Sequence, residues 1–332
     1  MNKKIALTGI KPTGLPHIGN YFGMYVPAIK LAEKYDTRYF IADYHALNMM
    51  RNPEVIRELT YEVAATWLAM GLNPDESILY KQSAVCGTFE LTILLMAFTS
   101  KGLLNRAHAY KAKVQENTEA GKDPDDGVNM GLFTYPALMA ADILQFDSDV
   151  VPVGQDQKQH LEMTIDIAQT INHNYGKELL KIPEALIREE TGAVIGLDGR
   201  KMSKSYNNTI PLFLPPKKLR KLIMKIVTNS QTIEESKNPD ECNIFALYKL
   251  FAGKEQQQEM RKRYEAGGLG WGHAKQDLFE IMNETLTPIR DEYTRIINNK
   301  DYIDEVLDKG AERANDIVSK KMLELRKAIG LA

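Results

Sequence analysis

Apolar and polar residues follow one another in two rhythms along this chain, one suited to strands and the other to helices. The stretch from Ile5 begins apolar, passes through a loop punctuated by Gly9, Pro12, Gly14 and Pro16, and turns helical at about His17. That is the order of a buried strand feeding a helix N-terminus. Thr37 to Ala42 is β-rich and ends in Asp43, Tyr44, His45 and Ala46. Pro53 stands where a first helical turn begins, and Val55, Ile56, Leu59, Val63, Trp67 and Leu68 recur at helical spacing until Gly71. Ile78 to Tyr80 and Val150 to Gly154 read as further strands, the second followed by a helix over Gln157 to Ile171. Strands alternating with helices of this length predict an α/β protein with a Rossmann-like, doubly wound parallel sheet over residues 1–200. Ligands of such sheets bind beyond the carboxyl ends of the strands, where Lys11 to Asn20 and Asp43 to His45 would lie.

Between the third and fourth strands, Phe89 to Val114 reads as mostly helical and Glu116 to Asn129 as polar and glycine-containing, with a mobile loop at Asp123 to Gly127. Phe133 to Leu144 is an apolar segment interrupted by one acid, Asp142. Beyond about Lys217 the strand signals fade into a helical region with a glycine-rich break from Gly267 to Gly272.

Composition changes this picture little. The 332 residues are 44% hydrophobic and 26% charged, as in ordinary globular proteins of about two domains. A net charge of -2 gives no global attraction to nucleic acid or membrane, so any RNA contact needs a local basic patch. No apolar run approaches the roughly 20 residues of a membrane span, and the N-terminus lacks the apolar core of a signal peptide. Cys86 and Cys242 match no metal or redox spacing and read as reduced thiols. A cytoplasmic protein without membrane association is expected.

The candidate chemistry begins at the first turn. Unpaired N–H groups and the helix dipole make such a strand-to-helix junction a phosphate site. A Walker loop is excluded because Leu15 and Pro16 follow Gly14, and the dinucleotide glycine fingerprint is missing. His17, Gly19 and Asn20 remain. His17 and Asn20 stand three apart on one helix face, and Gly19 clears the space beside them. By themselves they serve equally well as a helix cap. A second cluster, Gly199 to Ser205, carries Arg200, Lys201 and Lys204 on a small polar loop. Alone, it reads as a solvated basic loop.

Taken together, His17-Ile18-Gly19-Asn20 and Lys201-Met202-Ser203-Lys204-Ser205 resemble the signature pair of class I aminoacyl-tRNA synthetases. Thr8 to Gly23, Leu132 to Leu144 and Val151 to His160 resemble the tryptophanyl-tRNA synthetase family in particular. The likeness runs from Lys4 through Ser205 and returns at Tyr264 to Tyr293 and Val306 to Leu331. It implies that ATP and tryptophan form tryptophanyl-adenylate and pyrophosphate, and that the aminoacyl group then passes to tRNA(Trp). It also implies an α-helical anticodon-binding domain over residues 201–297, C-terminal helices over 298–332 that pack back on the first domain, and a homodimer. Mg²⁺ would arrive with ATP, bound mainly through phosphates, and no metal site belongs to the protein itself.

By the same resemblance, Gly9, Ile10, Lys11, Thr13, His17, Gly19 and Asn20 face ATP from the first turn, and Asp156 faces its ribose. Lys201, Met202, Ser203 and Lys204 close over the phosphates. His17, Asn20, Lys201 and Lys204 are the catalytic candidates, joined by Lys111 and Lys113. Leu7, Gly9, His45, Tyr135, Met139, Asp142, Val151, Val153 and Gln157 form the tryptophan pocket. Asp142 matters most for substrate choice: a buried acid needs a partner, and an indole N–H is a donor with no acceptor capacity. Without the resemblance, Asp142 reads as a brace for nearby backbone, Asp156 as a helix cap and His45 as a core histidine. Two positions depart from the family pattern, Lys11 where many bacterial members have Gln and Tyr206 where Asp is frequent. The competing readings are a tyrosyl-tRNA synthetase, a non-translating paralogue and a small-molecule adenylating ligase.

Overall fold

The structure, a computed structural model, describes residues 3–154, 157–187 and 194–332. Its centre is a five-stranded sheet of β1 (Ile5–Ile10), β2 (Asp36–Ile41), β3 (Ile78–Lys81), β4 (Val150–Val153) and β5 (Glu184–Ile187). The order is β3-β2-β1-β4-β5 and every pairing is parallel. Strand order reverses between β1 and β4, which opens a crevice at their carboxyl ends. The pattern along the chain did not reveal β5, a four-residue edge strand whose Glu184 and Ala185 are exposed.

Helices cover both faces. Tyr135–Leu144, Gly87–Ala97 and Lys158–Tyr175 close one face, burying Leu7, Tyr80, Leu91, Ile143 and Leu161 together. On the other, Tyr25, Tyr39 and Trp67 pack edge to tilted at 4.7 and 4.8 Å. The Pro53–Ala69 helix starts as expected, because Asn52 Oδ1 accepts from the Glu54 and Val55 N–H groups at 3.0 and 3.2 Å.

Two expected helical stretches are broken. The helix after the first turn is one α-turn, Ile18–Asn20, then a π-helical turn, Tyr21–Tyr25, then Val26–Leu31. Pro27 has no N–H to give to an α-helical ladder, which favours the wider turn just before it. The stretch from Phe89 to Val114 resolves into Gly87–Ala97, Lys101–Leu104 and His108–Glu119. Ser100 starts the middle helix, its Oγ accepting from Leu103 N–H at 3.1 Å. The last of the three runs to Glu119, into the polar stretch, and stops short of the loop expected at Asp123 to Gly127.

Past the second motif, Pro216–Ile223, Asn243–Phe251, Lys254–Glu265 and Trp271–Ile297 share one apolar core. That core also takes in Ile18 and Tyr21 from the first turn and Met202 from the second motif. The final helix, Lys300–Ile329, runs back across β3. Arg313 donates to the carbonyls of Pro74 and Ser77 at 2.8 and 3.0 Å, and Asn315 to that of Ala84 at 2.8 Å.

This crossing depends on Gly310, where an added Cβ would stand 1.8 Å from the Leu79 carbonyl oxygen. The obstacle is backbone, so no side chain can move aside. Gly310→Ala is expected to lower the stability to urea unfolding by about 1–3 kcal/mol, the usual scale of overpacking. An unchanged midpoint would contradict the close approach.

Candidate active site

A cavity of about 280 Å³ opens at the carboxyl ends of β1 and β4. Leu7 and Gly9 of β1, Val151 and Val153 of β4, His45 beyond β2, Tyr135, Met139 and Asp142 of one helix, and Gln157 all line it. The structure thus gathers every residue named for the amino-acid pocket around one space. It adds Met24 and Phe40, which the sequence reading missed. Phe40 lies against Gly9, where a Cβ would stand 2.2 Å from the ring, so β1 has room for the aromatic floor only as glycine.

Asp142 is 1% exposed. Burial pushes its carboxyl above the usual range, and hydrogen bonds and charge from His45 and a hydrogen bond from Gln82 act in the opposite sense. His45 Nε2 lies 3.1 Å from Oδ2, and Gln82 Nε2 donates to both oxygens at 2.9 and 2.7 Å. These side chains follow β2 and β3, so the acid braces the ends of two strands and still faces the cavity. A carboxylate has about four acceptor positions, which leaves capacity for one further donor. Gln82 was not legible beforehand, since no local pattern marks a glutamine after a short strand. His45 both lines the cavity and belongs to the buried network, and its ring lies 4.4 Å from that of Tyr135.

Lys11, expected near the phosphates, lines this same cavity, its Nζ 5.6 Å from the Tyr135 ring centroid. Burial depresses its pKa. A lysine here places a cationic group on the lining of the cavity.

The first motif is built as a reciprocal cap. His17 is extended and precedes the helix, so the two residues do not share a helix face as the spacing predicts. Its Nδ1 accepts from Asn20 N–H at 3.3 Å, and Asn20 Oδ1 accepts from His17 N–H at 3.1 Å. Burial first, then the Lys204 charge, lower the His17 pKa from 6.5 to about 4. The imidazole is neutral at pH 7, and with Nδ1 accepting, its proton sits on Nε2, free to donate.

The second motif docks onto the first. Met202, expected at ATP, is buried in the helical core, and its Sδ accepts from Gly19 N–H at 3.3 Å. Lys204 Nζ donates to the Thr13 carbonyl at 3.2 Å beside Gly14, which takes φ +109. Ser203 Oγ caps the following turn through Ser205 N–H at 3.3 Å, and Lys201 is exposed. Ile10 ends β1, its carbonyl accepting from Ala42 N–H at 2.8 Å. Tyr206 lies under the Arg200 guanidinium at 4.5 Å. Lys111 and Lys113 are not among the cavity's lining residues. Two apart on the His108–Glu119 helix, they diverge, and Lys113 pairs with Glu116 at 3.1 Å. Asp156 lies outside the described residues.

The depressed His17 pKa carries a stability consequence. Between pH 6.5 and about 4 the unfolded chain binds a proton at His17 that the folded chain resists, so stability falls as pH drops through that window. His17→Asn keeps a capping oxygen without the titration. Urea unfolding at about pH 7 and about pH 5 is expected to show a larger loss for the wild type than for the variant, and equal losses would contradict this.

The likeness to known proteins agrees with this arrangement. The chain matches the family model for tRNA synthetases class I (W and Y) over residues 2–287. It is 49% identical over 329 residues to a tryptophan–tRNA ligase of Pseudomonas aeruginosa, covering 98% of this chain and 73% of that one. A tryptophan–tRNA ligase of Fusobacterium nucleatum is 46% identical over 328 residues, with 99% and 98% covered. The crystal structure of tryptophanyl-tRNA synthetase from Campylobacter jejuni, complexed with ADP and tryptophan, superposes with a TM-score of 0.91 at 42% identity, covering 98% of this chain and 100% of that one. With both motifs docked beside a cavity that holds a buried acid, and with these relatives over nearly its whole length, the chain belongs to the class I tRNA synthetases of the tryptophan and tyrosine group, within the tryptophan–tRNA ligase family.

Proposed function

We propose that the protein activates tryptophan with ATP and transfers it to tRNA(Trp). The observation that carries this reading is the buried Asp142 carboxylate, aimed into a largely apolar cavity with acceptor capacity to spare. An indole N–H satisfies it, with Met139, Val151 and Val153 as walls. The tryptophan carboxylate is the nucleophile. It forms a bond to the α-phosphorus of ATP as the α–β bridging bond breaks and pyrophosphate leaves. An ionised carboxylate needs no base, so the protein's contribution is positioning and charge stabilisation. Lys204 and the His17 Nε2–H supply it beside the first turn, with Lys201 on the neighbouring loop, and Mg²⁺ enters on the phosphate oxygens of ATP as part of the substrate.

Residues 1–200 act in this reading as the catalytic unit, 201–297 as the second motif with the anticodon-binding helices, and 298–332 as helices returned to the sheet. Work on tRNA and ATP places the protein in the cytoplasm. None of the described helices is long and apolar enough to cross a membrane. The family resemblance implies a homodimer, and the Gly87–Ala97 helix supports one. It buries Leu91 and Leu95 while Phe89 and Ile93 remain 50% and 63% exposed on another face.

ATP–pyrophosphate exchange with each standard amino acid tests the assignment. Exchange with tryptophan alone is expected, and exchange with tyrosine in its place overturns the substrate. Asp142→Ala should lower kcat/KM for tryptophan by roughly 10- to 100-fold, or about 1–3 kcal/mol, the scale of an unmade buried hydrogen bond. An unchanged value rejects the role of Asp142. For the dimer, the wild type is expected to sediment as two copies and the Phe89→Lys, Ile93→Lys double variant as one. A monomeric wild type rejects the homodimer.

A further inference from the structure

Asn208 lies just beyond the second motif and has had no role so far. It is 2% exposed. Its side chain spends its capacity on the motif's own backbone. Oδ1 accepts from Ser203 N–H at 2.8 Å, while Nδ2 reaches the Lys201 carbonyl at 3.2 Å, the Arg200 carbonyl at 3.5 Å and Asp198 Oδ1 at 2.7 Å. One amide thus ties the chain on both sides of Met202. A buried polar group with its partners satisfied fixes a single arrangement, because any other leaves donors unpaired at low dielectric.

The surroundings are shaped to this side chain. A Cβ at Gly196 would stand 2.4 Å from the Asn208 side chain and 2.6 Å from its carbonyl oxygen. The Asn208 carbonyl accepts from Leu197 N–H at 3.0 Å, and Gly196 N–H donates to the Arg200 carbonyl at 2.7 Å. Asn207 takes φ +51, the left-handed turn that swings Asn208 back under the loop. Asp198 completes the bracket, bonded to Asn208 and to the Arg200 guanidinium, whose NH2 lies at 2.6 Å. The hydrogen bond from Asn208 is the first cause holding the Asp198 carboxyl below the usual range.

We propose that Asn208, braced by Asp198, is a positioning residue for amino-acid activation: it sets the backbone of 200–203 so that Met202 seats on Gly19 N–H and Lys204 reaches the first turn. The proposal rests on the adenylation reading above. Asn208 is buried and does not line the cavity. Its removal frees the loop while leaving the tryptophan cavity, built by β1, β4 and the Tyr135–Leu144 helix, as it is. A lysine misplaced by about 1 Å relative to a developing charge costs on the order of 100-fold in rate, so the turnover number suffers and amino-acid affinity does not.

The test compares wild type, Asn208→Ala, Asn208→Asp and the double variant Asn208→Asp with Asp198→Asn. Exchange kinetics with tryptophan, tryptophan affinity by titration calorimetry and thermal melting are measured on each. Asn208→Ala is expected to lower the exchange kcat by about 10- to 100-fold while changing tryptophan affinity by less than about twofold. Asn208→Asp sets two carboxylates against each other and should lose at least as much. In the double variant the amide at position 198 can donate to the carboxylate at position 208, which removes that repulsion but leaves the Lys201 and Arg200 carbonyls without their donor, so part of the loss should return, which a mere packing role would not produce. An unchanged kcat in Asn208→Ala, an equal loss of tryptophan affinity, or a double variant no better than Asn208→Asp each overturns the proposal. A wild type silent with tryptophan would instead remove the adenylation reading beneath it.

Discussion

A carboxylate 1% exposed must be answered by donors or lose its charge, and the answer given to Asp142 organises the sheet's working end. His45 comes from the end of β2 and Gln82 from the end of β3, so satisfying one acid fixes two loops against one helix. Removing either donor leaves a buried charge short of a partner, which costs more than the bond itself contributes. The cavity inherits its shape from this bracing. Its floor, Phe40, stands on β2, whose end the network ties to the helix of Asp142, while the walls Val151 and Val153 stand on β4.

The phosphate side is held by a different kind of contact. Ile18 N–H donates to the Ile210 carbonyl and Leu212 N–H to that of Pro16, both at 2.9 Å, so the chain after the second motif is stitched to the first turn. Apolar packing continues the seam, since Ile18, Tyr21 and Met202 join the core of the helical region. The seam brings Lys204 to the Thr13 carbonyl of the first turn.

Much of this arrangement could be read from the chain. Alternating strand and helix patterns located β1 to β4, and the paired motifs with the Leu132 to Leu144 segment pointed to the cavity residues before any geometry was known. Where the reading fell short, the missing information was not local. β5 is too short and too exposed at its start to show a pattern. The π-helical turn follows from Pro27, but its extent depends on the packing of Tyr21 and Tyr25. Gln82 and Asn208 are ordinary polar residues in sequence, and only their burial, 0% and 2% exposed, reveals that the first serves a distant acid and the second the backbone of its own loop.

The sequence alone determined the strand–helix order, the family and the set of side chains available for chemistry, because periodicity, turn residues and motif spacing are properties of neighbours. Tertiary structure decided how those side chains are used. It turned His17 from a helical residue into a neutral cap, set Lys11 near the Tyr135 ring, and buried Met202 as an anchor on Gly19. Each outcome depends on desolvation and on partners tens to hundreds of residues away. Those quantities come into being when the chain closes on itself.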